Sequence, residues 1–345
     1  MALIFTADDY GAYKEIDDGV IDALENGWLN SVAMLANGFD MKLSVSKILP
    51  FQKDKRVDLG CHFTMNSGEA LSTEMRNNPH FTHHGHFRPF FNMNIGRILQ
   101  KDNLPQNMYD LKAELRAQID RLRDLGIDVK HLSSHFNVLH FYPDFLKVQF
   151  EVLAEENYQN IKIRSTYVTP KFSRYLLPGI AKISTLFQGE IDQTSKEGRI
   201  KYEDSWTEYM IAIGNWCTNY KKEFPVPAMP DILDGFHYQA VGSLGIGRST
   251  KKRKARKKGE QILEKVFEVS GKGGKQEFLF HLADNDFLNK EARTWSKKRI
   301  TNHLNNKYSG VTPKYMDNRH VEFQSLAFFN SISNLELDPQ PWSKI

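Results

Sequence analysis

The stretch Leu3-Ile4-Phe5-Thr6-Ala7-Asp8-Asp9-Tyr10-Gly11 decides how the rest of this 345-residue chain is interpreted. Its first five residues are apolar or β-branched, and such a short run favours a strand that is buried on both faces. Two adjacent carboxylates follow at the carboxyl end of that strand. Burying both is unfavourable unless a cation or a shared proton relieves their repulsion. Because Asp also begins turns and caps helices, this stretch alone leaves a metal site and a simple turn equally open.

Three further short apolar runs each end in or contain a histidine. The run 57–63 delivers His62, the run 129–137 delivers His135, and the run 277–281 delivers His281. Sites in α/β proteins are built where the carboxyl ends of parallel strands meet. One carboxylate with two imidazoles is a frequent ligand set for a hydrolytic metal that keeps a position open for water. A lone histidine is more often a core or loop residue, so it is the recurrence that favours a metal site.

The segments between these runs alternate between helical and strand-like patterns. Residues 109–125 are predicted to form an amphipathic helix, because apolar residues recur every three or four positions up to Gly126. The other predicted elements are helices at 15–26, 142–157 and 260–269, and strands at 32–36 and 161–164. Strands separated by helices predict an α/β fold with mostly parallel strands. Periodicity alone leaves a barrel and an open doubly wound sheet as alternatives.

Six motifs follow one another along the chain. They are Ala7-Asp8-Asp9-Tyr10-Gly11, Gly60-Cys61-His62-Phe63-Thr64, Glu114 with Gln118, His131-Leu132-Ser133-Ser134-His135, Glu277 with His281, and Arg319 with Glu322 and Leu326. Together they resemble the YdjC/ChbG-type carbohydrate deacetylases, which remove acetyl groups from chito-oligosaccharides. The resemblance implies a distorted (β/α) barrel of the polysaccharide-deacetylase-like type. It covers most of the chain, and we expect one catalytic domain over residues 1–345 with insertions near 165–230, 245–260 and 285–315.

The resemblance also implies a set of site residues. Asp9, His62 and His135 are expected to hold a divalent metal ion, Mg²⁺ or Zn²⁺, and no other cofactor is implied. Asp8 is the expected general base, since a nearby cation keeps a carboxylate ionised at neutral pH. His281 is the expected acid that protonates the leaving amine. The reaction expected is hydrolysis of the acetamide of an N-acetylated amino sugar.

Two more residues are assigned to the substrate, and two positions depart from the family's pattern. His140 and Arg164 are candidates for contacting the sugar, although a salt bridge is an alternative role for Arg164. Ser133 stands where the family has an Asp, and Leu282-Ala283 stands where the family has Pro-Gly. Losing a charged neighbour of a metal ligand typically costs ten- to a hundred-fold in affinity or activity. Because of these departures, an alternative function stays open: a non-catalytic barrel that binds carbohydrate or a polyanion such as nucleic acid.

The net charge of +4 is distributed unevenly along the chain. Seven basic residues lie within 251–258, and without them 39 basic residues oppose 42 acidic ones. The run can contact a polyanion, but a solvated loop is the favoured interpretation because no aromatic pattern accompanies it. Nucleic acid is therefore not the favoured partner; a small carbohydrate is.

Cysteine content and hydropathy indicate the compartment. Two cysteines, Cys61 and Cys217, form no disulfide framework, and no apolar stretch approaches the length of a membrane span. We expect a cytoplasmic protein without membrane association, and a homodimer as the commonest form of assembly.

Overall fold

The computed structural model describes residues 2–89, 93–140, 143–164, 256, 259–260, 275–283 and 313–332. Eight β-strands lie in these residues: β1 (Ala2–Tyr10), β2 (Ser31–Met34), β3 (Asp58–Phe63), β4 (Thr82–His83), β5 (His86–Phe87), β6 (Val129–Ser134), β7 (Lys162–Ile163) and β8 (Lys275–Phe280). Six of them form one sheet in the order β7-β6-β3-β2-β1-β8, and β4 and β5 form an antiparallel pair. The six-stranded sheet is curled into a half-barrel. This confirms the predicted α/β fold with mostly parallel strands.

The opening stretch of the sequence lies inside the sheet as β1. It pairs in parallel with β2 on one side and with β8 on the other, so that Phe5 lies opposite Phe278. The two rings are 5.4 Å apart between centroids, and Phe329 lies 5.9 Å from Phe5. A strand with neighbours on both sides and covered faces needs apolar residues at successive positions. That requirement explains the nearly continuous apolar run that precedes Asp8.

Seven α-helices accompany the strands in the described residues: α1 (Lys14–Glu25), α2 (Met41–Lys53), α3 (Thr73–Arg76), α4 (Ile95–Ile98), α5 (Leu104–Asp124), α6 (Pro143–Leu153) and α7 (Pro313–Ile332). The predicted helices at 15–26, 109–125 and 142–157 correspond to α1, α5 and α6. The periodic apolar residues of α5 are all buried: Leu111, Leu115, Ile119 and Leu122. Helix α1 ends before Gly27, whose φ of 72° suits glycine better than other residues. Of the helix predicted at 260–269, only Glu260 is among the described residues.

The chain divides into two compact units. The first comprises Met1–His62, Leu122–His131 and Pro230–Ile345. In this unit the buried ring of His131 lies 3.0 Å from the Ser31 hydroxyl. A Cβ on Gly60 would come within 2.2 Å of that ring, so the strand can carry only glycine there. His131, the first histidine of its motif, is therefore a core residue.

The second unit comprises Phe63–Arg121 and Leu132–Met229. In this unit the buried carboxylate of Glu114 accepts backbone N–H groups of Leu71 and Ser72 at 2.8–3.0 Å. Gln118 donates to Glu114 at 2.8 Å and exchanges two hydrogen bonds with the backbone of Thr64. Burial raises the pKa of Glu114, and these hydrogen bonds oppose that shift. The Glu114 and Gln118 motif therefore fixes the segment 64–72.

The single-domain organisation stays a prediction. The expected insertions near 165–230, 245–260 and 285–315 lie outside the described residues, except for 256, 259–260 and 313–315. Among the described residues, no helix combines the length and the apolar character needed to cross a bilayer.

Candidate metal centre

The carboxyl end of β1 departs from regular strand geometry where the two aspartates lie. Successive side chains of a regular strand face opposite sides of the sheet. The β1–β2 pairing shifts register between Ala7 and Tyr10, and Asp9 has a φ of 67°. A positive φ is uncommon outside glycine, although Asp tolerates it better than most residues. Because of this irregularity, the side chains of Asp8 and Asp9 are not required to face opposite sides of the sheet.

His62 lies on β3 and faces the carboxylate of Asp9. The His62 Nε2 atom is 3.3 Å from Asp9 Oδ1, and both side chains are at most 3% exposed. This separation is near what two ligands on one ion adopt, because metal–ligand bonds of about 2.0–2.2 Å at a tetrahedral angle place the ligand atoms roughly 3.3 Å apart. The pair therefore fits a shared cation.

His135 completes a three-residue group with Asp9 and His62. It begins a 3-10 helix (His135–His140) directly after β6. The Ser134 hydroxyl accepts the N–H of Leu139 at 3.0 Å, which holds this turn closed. One ligand atom from each of Asp9, His62 and His135 lies within 4.8 Å of the others. Within the described part of the chain, this is the one group of three or more such residues with that geometry. Its oxygen and two imidazole nitrogens suit a divalent ion such as Zn²⁺.

A buried arginine from the other end of the chain contacts the same carboxylate. Arg319, on α7, places Nη2 2.8 Å from Asp9 Oδ2. Both side chains are at most 5% exposed. One oxygen of Asp9 therefore faces an arginine while the other faces His62.

His281 follows β8, and Glu322 lies beside it. The Nδ1 atom of His281 is 4.0 Å from Glu322 Oε1, and the carboxylate is 1% exposed whereas the imidazole is 17% exposed. Four residues earlier in the chain, Glu277 on β8 accepts a hydrogen bond from the Thr6 hydroxyl of β1 at 2.7 Å. A buried carboxylate close to an imidazole stabilises the ring when it carries a proton. This arrangement suits a residue that must hold and release a proton.

The remaining predicted residues are distributed as follows. Asp8 is buried next to Asp9 in the chain, and Ser133, Leu282 and Ala283 are all buried. Arg164, directly after β7, is 1% exposed and has the largest side chain among the fully buried ones of the described residues. The side chain of His140 lies outside the described residues, although its backbone ends the 3-10 helix.

The structure places two charged residues of α7 beside the predicted site residues, and sequence reasoning had assigned neither of them to the site. In the sequence, Arg319 and Glu322 belong to a terminal motif to which no function is attached. Their spacing of three residues places both on one side of α7. One sequence signal could have identified them. Both are charged residues at helical spacing in a segment that also contains apolar residues such as Leu326 and Phe329.

The sequence is similar to those of known proteins. A family model described as YdjC-like protein matches residues 2–296. A carbohydrate deacetylase of Clostridium beijerinckii is 24% identical over 183 residues, covering 49% of this chain and 68% of that protein. A carbohydrate deacetylase of Danio rerio is 27% identical over 154 residues, covering 44% of this chain and 46% of that protein. The chain thus spans about half to two thirds of the length of these curated relatives.

A solved structure resembles the whole chain. The crystal structure of an Enterococcus faecalis protein, named only provisionally as a cellobiose-phosphate cleavage protein, superposes with a TM-score of 0.57. It covers 99% of this chain and 97% of that one at 17% identity. At this identity the likeness supports the fold alone.

Proposed function

This chain belongs to the YdjC-like protein family, and we propose that it is a metal-dependent carbohydrate deacetylase that acts on N-acetylated amino sugars. The observation that carries the proposal is the buried group of Asp9, His62 and His135, with ligand atoms within 4.8 Å of one another. The curated relatives named carbohydrate deacetylase support the reaction class. The proposed substrate is a small oligosaccharide that carries acetamido groups.

In this proposal Asp9, His62 and His135 hold one divalent ion, Zn²⁺ or Mg²⁺. Such an ion, when bound, polarises the amide carbonyl and lowers the pKa of water towards neutrality. An acetamide is an unactivated amide, so hydrolysis requires both a stronger nucleophile and stabilisation of the developing oxyanion. The buried position of the three side chains suits this role, because electrostatic interactions are stronger away from bulk water.

Asp8 is the proposed general base. It removes a proton from the attacking water as the oxygen of that water adds to the carbonyl carbon. Its position next to Asp9, at the irregular end of β1, supports this assignment. A carboxylate near a cation remains ionised, which is the form that a base requires.

His281 is the proposed general acid. It donates a proton to the sugar nitrogen as the C–N bond breaks, so that acetate and a free amine are the products. The Glu322 carboxylate, 4.0 Å from Nδ1, supports the protonated state of the ring before transfer. Arg164 and His140 are proposed to contact the sugar, because they follow β7 and end the 3-10 helix after β6, respectively.

Acetate release tests this function. Purified protein with Zn²⁺ or Mg²⁺ is incubated with N,N′-diacetylchitobiose, and acetate is measured enzymatically. We expect release that EDTA abolishes and added metal restores. Asp8→Asn should slow turnover by about 10²–10⁴-fold, because it removes the proton acceptor, while His62→Ala should also weaken metal binding.

The matched control is His83→Ala, since His83 is an exposed histidine outside the group. It should keep wild-type activity. Acetate release that is equal in wild type, Asp8→Asn and His62→Ala would contradict the proposal.

A further inference from the structure

We propose that Arg319 is a built-in counter-ion for the metal ligand Asp9, which keeps the protein folded without the ion and weakens ion binding. This inference rests on the proposed metal site but concerns a residue outside the ligand set. Arg319 lies beyond residues 2–296, which match the family model. Its guanidinium contacts Asp9 Oδ2 at 2.8 Å in a buried environment.

Helix α7 holds Arg319 in place through apolar contacts with other elements of the first unit. Phe329 lies 5.9 Å from Phe5 of β1, and Phe323 lies 5.7 Å from Trp28, just after α1. Leu326 is fully buried between these two contacts along the helix. Because α7 is packed at several points, Arg319 cannot withdraw from Asp9 without loss of helix packing.

The charges near Asp9 explain why a counter-ion is needed. Asp8 and Asp9 are adjacent in sequence, and both are at most 3% exposed. Two ionised carboxylates buried together repel each other and lack hydration. Arg319 supplies one positive charge, which neutralises one of the two carboxylates. The protein can therefore fold before a divalent ion binds.

The same contact opposes the ion, because both positive charges share one carboxylate. A residue that merely positions a ligand raises metal affinity, typically ten- to a hundred-fold. A fixed positive charge next to the ligand lowers the affinity for a second cation, and burial makes this repulsion stronger than in water. We expect the repulsion to exceed the positioning effect, so that removing the charge tightens ion binding.

Thermal unfolding with and without Zn²⁺ tests the inference. Full-length wild type, Arg319→Met and Arg319→Lys are stripped with chelator and melted, then melted again with saturating Zn²⁺. Without the ion, Arg319→Met should lose about 5–10 °C in Tm. Its Zn²⁺-induced rise in Tm should exceed that of wild type by several degrees, and calorimetric titration should show binding on the order of tenfold tighter. Arg319→Lys keeps the charge and should resemble wild type in both measurements.

The matched control is Arg116→Met. Arg116 forms a two-pronged ion pair with Glu155 at a half-buried position of the second unit. Its removal should leave the Zn²⁺-induced rise in Tm unchanged. A rise that is equal in Arg319→Met and wild type, or weaker Zn²⁺ binding by Arg319→Met, would overturn the counter-ion role while leaving the deacetylase proposal intact. Absence of Zn²⁺ and Mg²⁺ binding by wild type would overturn both.

A double substitution covers the case in which Arg319→Met does not fold without metal. Asp9→Asn removes the negative charge that Arg319 neutralises. Asp9→Asn/Arg319→Met should therefore fold and melt above Arg319→Met in the absence of metal. A double variant that is as unstable as the sum of the two single variants would contradict the inference.

Discussion

At the scale of single residues, Asp9 combines a strained backbone conformation with a carboxylate in the candidate metal centre. Its positive φ is a sparsely populated conformation that costs on the order of 1 kcal/mol. The surrounding contacts with His62 and Arg319 hold the carboxylate in place despite this cost. Backbone strain of this kind concentrates at functional sites. The Asp9 carboxylate is therefore held in a fixed position by protein contacts, as the proposed metal centre requires.

The relation between Glu322 and His281 gives a prediction at this scale. His281→Ala should reduce kcat by about 10²–10⁴-fold if His281 is the acid. Glu322→Gln should reduce kcat about tenfold with little change in KM, because it acts through His281. Steady-state assays of both variants and of the double variant measure this.

The double variant decides between a shared and an independent role. If Glu322 acts through His281, the double variant should be no slower than His281→Ala alone. Effects that multiply in the double variant would show that Glu322 has a separate role.

Much of the candidate site could be predicted residue by residue, but its charged neighbours could not. Asp9, His62 and His135 end short apolar runs, and parallel strands bring such ends together. Arg319 and Glu322 are distant in sequence from the residues that they contact, and no local rule links α7 to β1 or β8. The burial of Arg164 could not be predicted either. Its place at the end of a strand indicates where the residue lies in the sheet, but not how much of its side chain is exposed to solvent.

At the scale of elements, the loop between β1 and α1 gives a prediction about pH. The Asp17 carboxylate of α1 accepts the Gly11 N–H at 2.7 Å and a hydrogen bond from the Ser44 hydroxyl of α2. Burial raises the pKa of Asp17 to about 6, against these two hydrogen bonds. The unfolded chain has the ordinary value of 3.8, so the stability contributed by protonated Asp17 is complete below about pH 4. It is lost as pH rises to and beyond 6, by about 3 kcal/mol.

Asp17→Asn tests this linkage. The amide accepts from Gly11 and bonds to Ser44 without a buried charge. Relative to wild type, the variant should therefore gain about 3 kcal/mol between pH 4 and pH 7. Urea unfolding at a series of pH values measures the difference. A difference in unfolding free energy that stays constant across this range would contradict the prediction.

The elements that the sequence predicted are those with clear periodicity. β1, β3, β6 and α5 follow from continuous apolar runs or from regular helical spacing. Helix α2 was not predicted, since Pro50 lies inside it and normally signals a break. Helix α7 was not predicted because the buried Arg319 and Glu322 interrupt its apolar pattern, and packing against β1 and α1 decides its conformation instead.

At the scale of the whole molecule, the family assignment and the fold agree, and further expectations stay predictions. These are the cytoplasmic location, the homodimer, the single domain and the choice between Zn²⁺ and Mg²⁺. Most of the basic run 251–258 lies outside the described residues; within it, Arg256 pairs with Glu260 at 3.1 Å.

The most direct test is crystallography of the metal-soaked protein with anomalous diffraction recorded on both sides of the zinc absorption edge. We expect one strong zinc peak, bonded to a carboxylate oxygen of Asp9 and to one imidazole nitrogen each of His62 and His135, at about 2.0–2.2 Å. A zinc peak bound elsewhere, with these three side chains bearing no ion, would contradict the proposed metal centre.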